Sequence, residues 1–157
     1  MRPPPFQLFL DTHREDVYRF LVYLVGPGEA EDCFQETFLS ALRAYPRLRD
    51  ASNLKSWVLT IAHRKALDSH RARRRRPEPV EVVPEEASGP SLDGEAADPV
   101  LWRAVGGLPP KQRAAVVHRF VGDLPYRDIA KVMGTTEEAA RRSVHEGVRK
   151  LREVWRA

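Results

Sequence analysis

Seven cations crowd one short stretch of this chain. Arg64, Lys65, Arg71, Arg73, Arg74, Arg75 and Arg76 are set against Asp68 alone, with Trp57 one to two turns upstream. A basic helix carrying an aromatic ring has the chemistry to neutralise phosphates and to stack an unpaired base. A second cationic group, Arg141, Arg142, His145 and Arg149, lies near the carboxy terminus. Arginines on the early turns of an exposed helix can bond guanine at two points in the major groove. The plainer readings are a solvated helix end for the arginine run and a core position for Trp57. Catalytic chemistry has no comparable footing. The five histidines are scattered at 13, 63, 70, 118 and 145, and there is no Ser/His/Asp arrangement, phosphate-cradling glycine loop or HExxH stretch. The expectation is a binding protein, not an enzyme, with neither cofactor nor metal. One cysteine excludes an internal disulfide framework and a Cys-cluster zinc site, and Cys33 reads as a small buried hydrophobe.

The elements that must position these groups are helices, and the expected fold class is all-α. In the first module Phe6, Phe9, Leu10, Val17, Leu21, Leu24 and Val25 share a face until Gly26-Pro27-Gly28 ends the helix. A second helix is expected over about Glu29 to Ala44, with Ala30, Phe34, Phe38, Ala41 and Leu42 inward and Pro46 beyond it. A third opens at Asn53, a good N-cap, and carries Leu54, Trp57, Val58, Ile61 and Leu67 to the arginine run, where Pro77 stops it.

The second module opens with Asp98-Pro99, an N-cap followed by proline at the first helical position. A short helix with Leu101, Trp102 and Val105 gives way to Gly106-Gly107-Leu108-Pro109-Pro110, and another runs to Val121 before Gly122-Asp123. Tyr126 to Met133 reads as a short helix, Gly134 as its left-handed terminator, and Thr135-Thr136-Glu137-Glu138 as a capping box opening a long final helix. Ala130, Gly134 and Ala140 fall at the fifth, ninth and fifteenth positions from Tyr126. A helix-turn-helix needs this: a small side chain at the crossing, a φ > 0 residue in the turn, and an inward apolar residue beyond it. Val144, Val148, Leu151 and Val154 continue the inward face and leave Arg141, Arg142 and His145 outward. A structural helical hairpin with a solvated basic face fits the same residues.

Between the modules the charge reverses. Residues 1–76 carry 14 Lys+Arg and 9 Asp+Glu, residues 77–100 carry none and 7, and residues 101–157 carry 12 and 6. The net charge of +4 thus resolves into +5, −7 and +6. The acidic stretch has no helical or strand periodicity and reads as an extended proline-spaced linker over 77–97 between domains at 1–76 and 98–157. The longest apolar run, Phe20 to Val25, is far short of the roughly 18–20 residues that span a bilayer, and the amino terminus has no apolar signal-peptide core. A soluble cytoplasmic protein without membrane insertion is expected.

These residues also form a collinear pattern. Ala30-Glu-Asp-Cys-Phe-Gln-Glu-Thr-Phe-Leu39, Leu54-Lys-Ser-Trp-Val-Leu-Thr-Ile-Ala62 with Leu67-Asp-Ser-His-Arg71 and the arginines, Leu108-Pro-Pro-Lys-Gln-Arg113, and Tyr126-Arg-Asp-Ile-Ala130 with the helix-turn-helix together resemble an extracytoplasmic-function (ECF) sigma factor of the sigma-70 superfamily. The resemblance spans nearly the whole chain. It implies a bacterial initiation factor that binds core RNA polymerase and promoter DNA, with an anti-sigma factor as a common partner. The first domain would dock on polymerase through Asp32, Gln35, Glu36 and Leu39. It would recognise and melt the −10 element through Asn53, Trp57, Arg64, Lys65, Arg71, Arg73 and Arg74, and the second domain would read the −35 element through Arg141, Arg142, His145 and Arg149. The acidic linker would thread the polymerase channels as a nucleic-acid mimic.

The chain departs from the family pattern in two places. Arg64 stands where asparagine is usual after Ile-Ala-x. The recognition helix reads Glu138-Ala-Ala-Arg-Arg-Ser143 and then Glu146-Gly-Val148, without two of the usual arginines and with Arg142 added. A free-standing helix-turn-helix regulator acting as a homodimer shares the second module but leaves the Glu31–Leu39 face and the linker without a role. A nuclease built on the basic helix lacks clustered acids or metal ligands.

Overall fold

The computed structural model describes residues 2–75 and 98–156, and every regular element among them is helical. The linker 77–97, Arg76, and the side chains of Arg73, Arg74 and Arg75 lie outside the described residues.

Three helices build the amino-terminal domain. α1 (Phe6–Val25) ends at Gly26, whose φ of 86° turns the chain so that Pro27 can open α2 (Pro27–Ala44). The second helix therefore begins two residues before the expected Glu29: proline at the first helical position forgoes an N–H that has no partner there anyway. A 3₁₀ turn, Tyr45–Arg47, follows. α3 (Leu54–Arg75) starts at Asn53, whose Oδ1 accepts from the Ser56 N–H at 3.2 Å. Phe9, Val17, Phe20, Leu21, Val58 and Leu59 are fully buried. Phe9 sits at the centre of an aromatic cluster, with ring centroids 5.3 Å from Tyr45, 5.7 Å from Trp57 and 6.1 Å from Phe38. Cys33 is buried as expected.

The carboxy-terminal domain comprises α4 (Pro99–Gly106), α5 (Pro110–Val116), α6 (Tyr126–Met133) and α7 (Glu137–Arg156). Asp98 caps α4 by accepting from the Val100 N–H at 2.9 Å. A π-helical turn over Val117–Val121 extends α5, closed by Gly122 N–H donating to Val117 O at 2.9 Å. Gly134 is left-handed (φ 64°, ψ 38°), and Thr135 N–H reaches back to Ala130 O at 2.9 Å, the six-to-one bond that ends a helix in a Schellman turn.

Three residues expected inward are exposed: Leu42, Leu67 and Val154. Successive residues of a helix are turned about 100° apart, so with Ala41 fully buried Leu42 must face away. Leu67 lines the mouth of a cavity between the domains, and Val154 lies beside Trp155 at the far end of α7, in an open groove against Val100 and Arg103.

The two domains are docked. α1 packs on α4 and on the π-helical turn, and α3 packs on α6. Leu59 comes so close to Gly122 that a Cβ on that glycine would lie 3.0 Å from the leucine methyl. Two polar links cross the seam. Asn53 Nδ2 donates to Asp128 Oδ2 at 3.0 Å, and the buried rings of His63 and His118 share a hydrogen bond of 3.1 Å between Nδ1 and Nε2. The ring of Phe20 covers His118, with centroids 4.8 Å apart.

Candidate nucleic-acid interface

The helix-turn-helix has the scaffold its sequence requires. Ala130 and Ala140 are buried at the α6–α7 crossing, and Gly134 makes the turn. Thr136 is the N-cap of α7, its hydroxyl oxygen accepting from Ala139 N–H at 3.1 Å. The expected capping box is only half present, because the position three residues on is Ala139, which has no carboxylate to return the bond. Glu137 and Glu138 instead occupy the first turn, where their charge favours the helix start.

Arg141, Arg142, His145 and Arg149 all stand exposed on α7. Arg141 is the most constrained: its guanidinium lies 4.9 Å from the ring centre of Tyr126 and 3.8 Å from Glu137. The ion pair is exposed and contributes little, whereas the ring contact orients a planar guanidinium. Arg119 approaches the same ring, 4.7 Å from its centre, while bonding Leu124 O at 3.1 Å. Tyr126 as a platform for two arginines was missed in the sequence. Its position seven residues after Arg119 and fifteen before Arg141 carries no local signal, since the three meet only when α6 crosses α7.

Gly147 explains one departure in the recognition helix. A Cβ there would lie 2.5 Å from Val116 Cγ2 on α5, so the helices meet at a distance that glycine alone permits without a shift. The Leu108–Arg113 stretch is structural: the Arg113 guanidinium donates to Gly106 O at 2.9 Å and Leu108 O at 3.2 Å, fastening the α4–α5 turn, and burial lowers its pKa.

On α3, Arg64 and Arg71 are exposed and Lys65 is half-buried. Arg73 and Arg74 continue the helix, with their side chains outside the described residues. Trp57 is half-buried, set 61° to the Phe9 ring, so its ring is engaged in packing. Asn53 combines a cap with the link to Asp128. Asp32, Gln35, Glu36 and Leu39 recur every three or four residues on α2 and are all exposed, forming one acidic face with an apolar end. The structure thus gathers the α2 face and the α7 face as separate patches, and it brings Asn53 against the helix-turn-helix. Among the described residues no three His, Cys, Asp or Glu are grouped to hold a metal, and no helix is long and apolar enough to cross a membrane.

Two family models match in the order of the two domains: Sigma-70 region 2 over residues 9–76 and Sigma-70, region 4 over residues 100–151. The RNA polymerase sigma factor CarQ of Myxococcus xanthus is 31% identical over 95% of this chain and 88% of its own. The chain belongs to the ECF sigma factors. The ECF RNA polymerase sigma factor SigD of Mycobacterium tuberculosis strain H37Rv is 33% identical, covering 92% of this chain and 74% of its own. In fold, the sigma factor RpoE of Bartonella quintana, solved in complex with the anti-sigma factor NepR, superposes with a TM-score of 0.78 at 22% identity, over 97% of both chains. As a sigma factor the protein binds core RNA polymerase and directs it to promoters.

Proposed function

We propose that residues 1–76 dock on core polymerase and open the −10 element, that residues 98–157 read the −35 element, and that the acidic stretch 77–97 lies in the polymerase channels between them. The observation that carries this reading is the outward row Arg141, Arg142, His145 and Arg149 on the second helix of an intact helix-turn-helix. Arg141 and Arg142 stand within the first two turns, where base edges come within reach. On α2, Asp32, Gln35, Glu36 and Leu39 present two carboxylates to a basic partner helix, with Leu39 as an apolar anchor. On α3, Arg64, Lys65, Arg71, Arg73 and Arg74 track phosphates, and Asn53 and Trp57 meet the −10 bases. The protein supplies no catalytic group of its own: bond formation belongs to polymerase, and the work is done in the cytoplasm. An anti-sigma factor is a fitting partner, since a structural relative was solved with one.

Transcription in vitro with core polymerase over a promoter library tests the assignment. The expected result is selective initiation from a subset of sequences, absent when this protein is omitted and strongly reduced for the Asp32→Ala, Glu36→Ala double variant at unchanged helical content. Initiation by the double variant at the wild-type level would remove the α2 face from the polymerase contact.

A further inference from the structure

The seam between the domains contains two histidines that neither the fold nor the proposed reading accounts for. His63 belongs to the inward stripe of α3 with Val58, Leu59, Ala62 and Ala66, and His118 to the π-helical turn of the other domain. Both are buried, and between them lies a single hydrogen bond. One ring must donate and the other accept. Among the described residues His118 Nδ1 has no hydrogen-bond partner, so the pair is satisfied on the inner side alone. Hydrophobic side chains of similar volume would close this seam more firmly and without an orphaned nitrogen. From this geometry we infer that His63 and His118 form a proton-sensitive latch: with both rings neutral the domains are held together, and protonation drives them apart.

The surroundings fix the direction. Burial lowers the pKa of His63, and the Arg64 charge on the same helix adds to it. Burial pushes His118 down to about 3, with His63 contributing. Arg113 from α5, Glu29 from α2 and His70 from α3 share with His63 the cavity of about 100 Å³ beside the pair. Glu29 is the anion among them, and the Ser69 hydroxyl donates to it at 3.1 Å. α1 contributes the apolar ring of Phe20. In the open form both imidazoles return to water and to the ordinary value near 6.5. The closed form, whose histidines have depressed pKa values, is therefore fully favoured above about pH 6.5. It loses ground as pH falls below that, by up to about tenfold per pH unit for each proton the closed pair excludes.

Opening has a consequence for promoters that rests on the domain assignments proposed above. A compact body of this length is about 40 Å across. Elements centred at −10 and −35 are about 25 base pairs, or roughly 85 Å, apart at about 3.4 Å per pair. The closed form cannot reach both, and its Asn53 is already bonded to Asp128.

Small-angle scattering of the full chain reads the latch without DNA or polymerase, so its outcome is independent of that reading. The radius of gyration should be about 15 Å at pH 8 and should rise between pH 7 and pH 5, while far-UV circular dichroism stays constant. A His63→Leu, His118→Leu variant should remain compact at pH 5. Should that variant fail to fold, His63→Gln, which keeps a hydrogen-bonding amide and removes one titrating ring, should halve the steepness of the transition. A radius that is the same at both pH values, or an expansion that persists unchanged in the folded variant, overturns the latch.

Discussion

Arg141 shows how much a single side chain's role depends on its neighbours. It carries a formal charge beside Glu137, an arrangement that in isolation would offset its attraction for DNA. The Tyr126 ring, its centre 4.9 Å from the guanidinium, limits the positions that group can take. Arg142, one residue on, is exposed without an ion pair or ring contact among the described interactions. If both read bases, Arg141→Ala and Arg142→Ala should each cost about 1–3 kcal/mol against a preferred −35 sequence and relax selectivity there. Titration of holoenzyme on matched and mismatched −35 sites checks this, and an equal loss on every sequence would make them phosphate contacts instead. The larger loss is expected for Arg141, whose preorganisation by Tyr126 is forfeited with it.

Among the elements, α7 is the one whose sequence was easiest to read and whose packing was hardest. Its inward stripe through Ala140 and Val144 was legible because apolar residues recur at helical spacing, and the outward arginines followed by elimination. The Ala130, Gly134 and Ala140 triplet was legible for a different reason: close crossings and left-handed turns admit few residue types. What lay beyond the pattern was where each helix runs out of a partner. Val154 keeps the period but lies at the far end of α7, Leu67 faces a cavity between the domains, and Leu42 is displaced by the smaller Ala41. Gly147, which in the sequence stood only as part of a departure from the family pattern, is a point of close helix contact. Replacing it by alanine gains about 1 kcal/mol of helix propensity, against about 1–3 kcal/mol for forcing a methyl into Val116, which as a β-branched residue has little rotamer freedom to yield. A net loss of about 1 kcal/mol is expected for Gly147→Ala, seen as a lower thermal midpoint; a rise would show that α5 can move away at no cost.

For the molecule as a whole, segregated charge announced two domains and a connection, but no local pattern announced that the domains dock. His63 and His118 stood in the sequence only as two of five scattered histidines, and their burial against each other appears only in the folded chain. Asn53 was legible as a cap, whereas its bond to Asp128 joins residues 75 apart in sequence. Asn53→Asp isolates that bond, since aspartate caps a helix as well as asparagine does but faces Asp128 as a second carboxylate. Loss of the hydrogen bond alone, about 1 kcal/mol, shifts the closed-to-open ratio about fivefold, and repulsion adds to it. Scattering at pH 8 should register the larger radius, and an unchanged one would make the bond incidental. The seam has a further consequence through the chain that joins its two sides. The helix-turn-helix and the surface it docks on belong to one chain. Closure is therefore unimolecular and indifferent to how much of this protein a cell holds. Any partner that needs the domains apart binds with its affinity reduced by the fraction open, a fraction that the latch sets through pH and that the abundance of the sigma factor leaves unchanged.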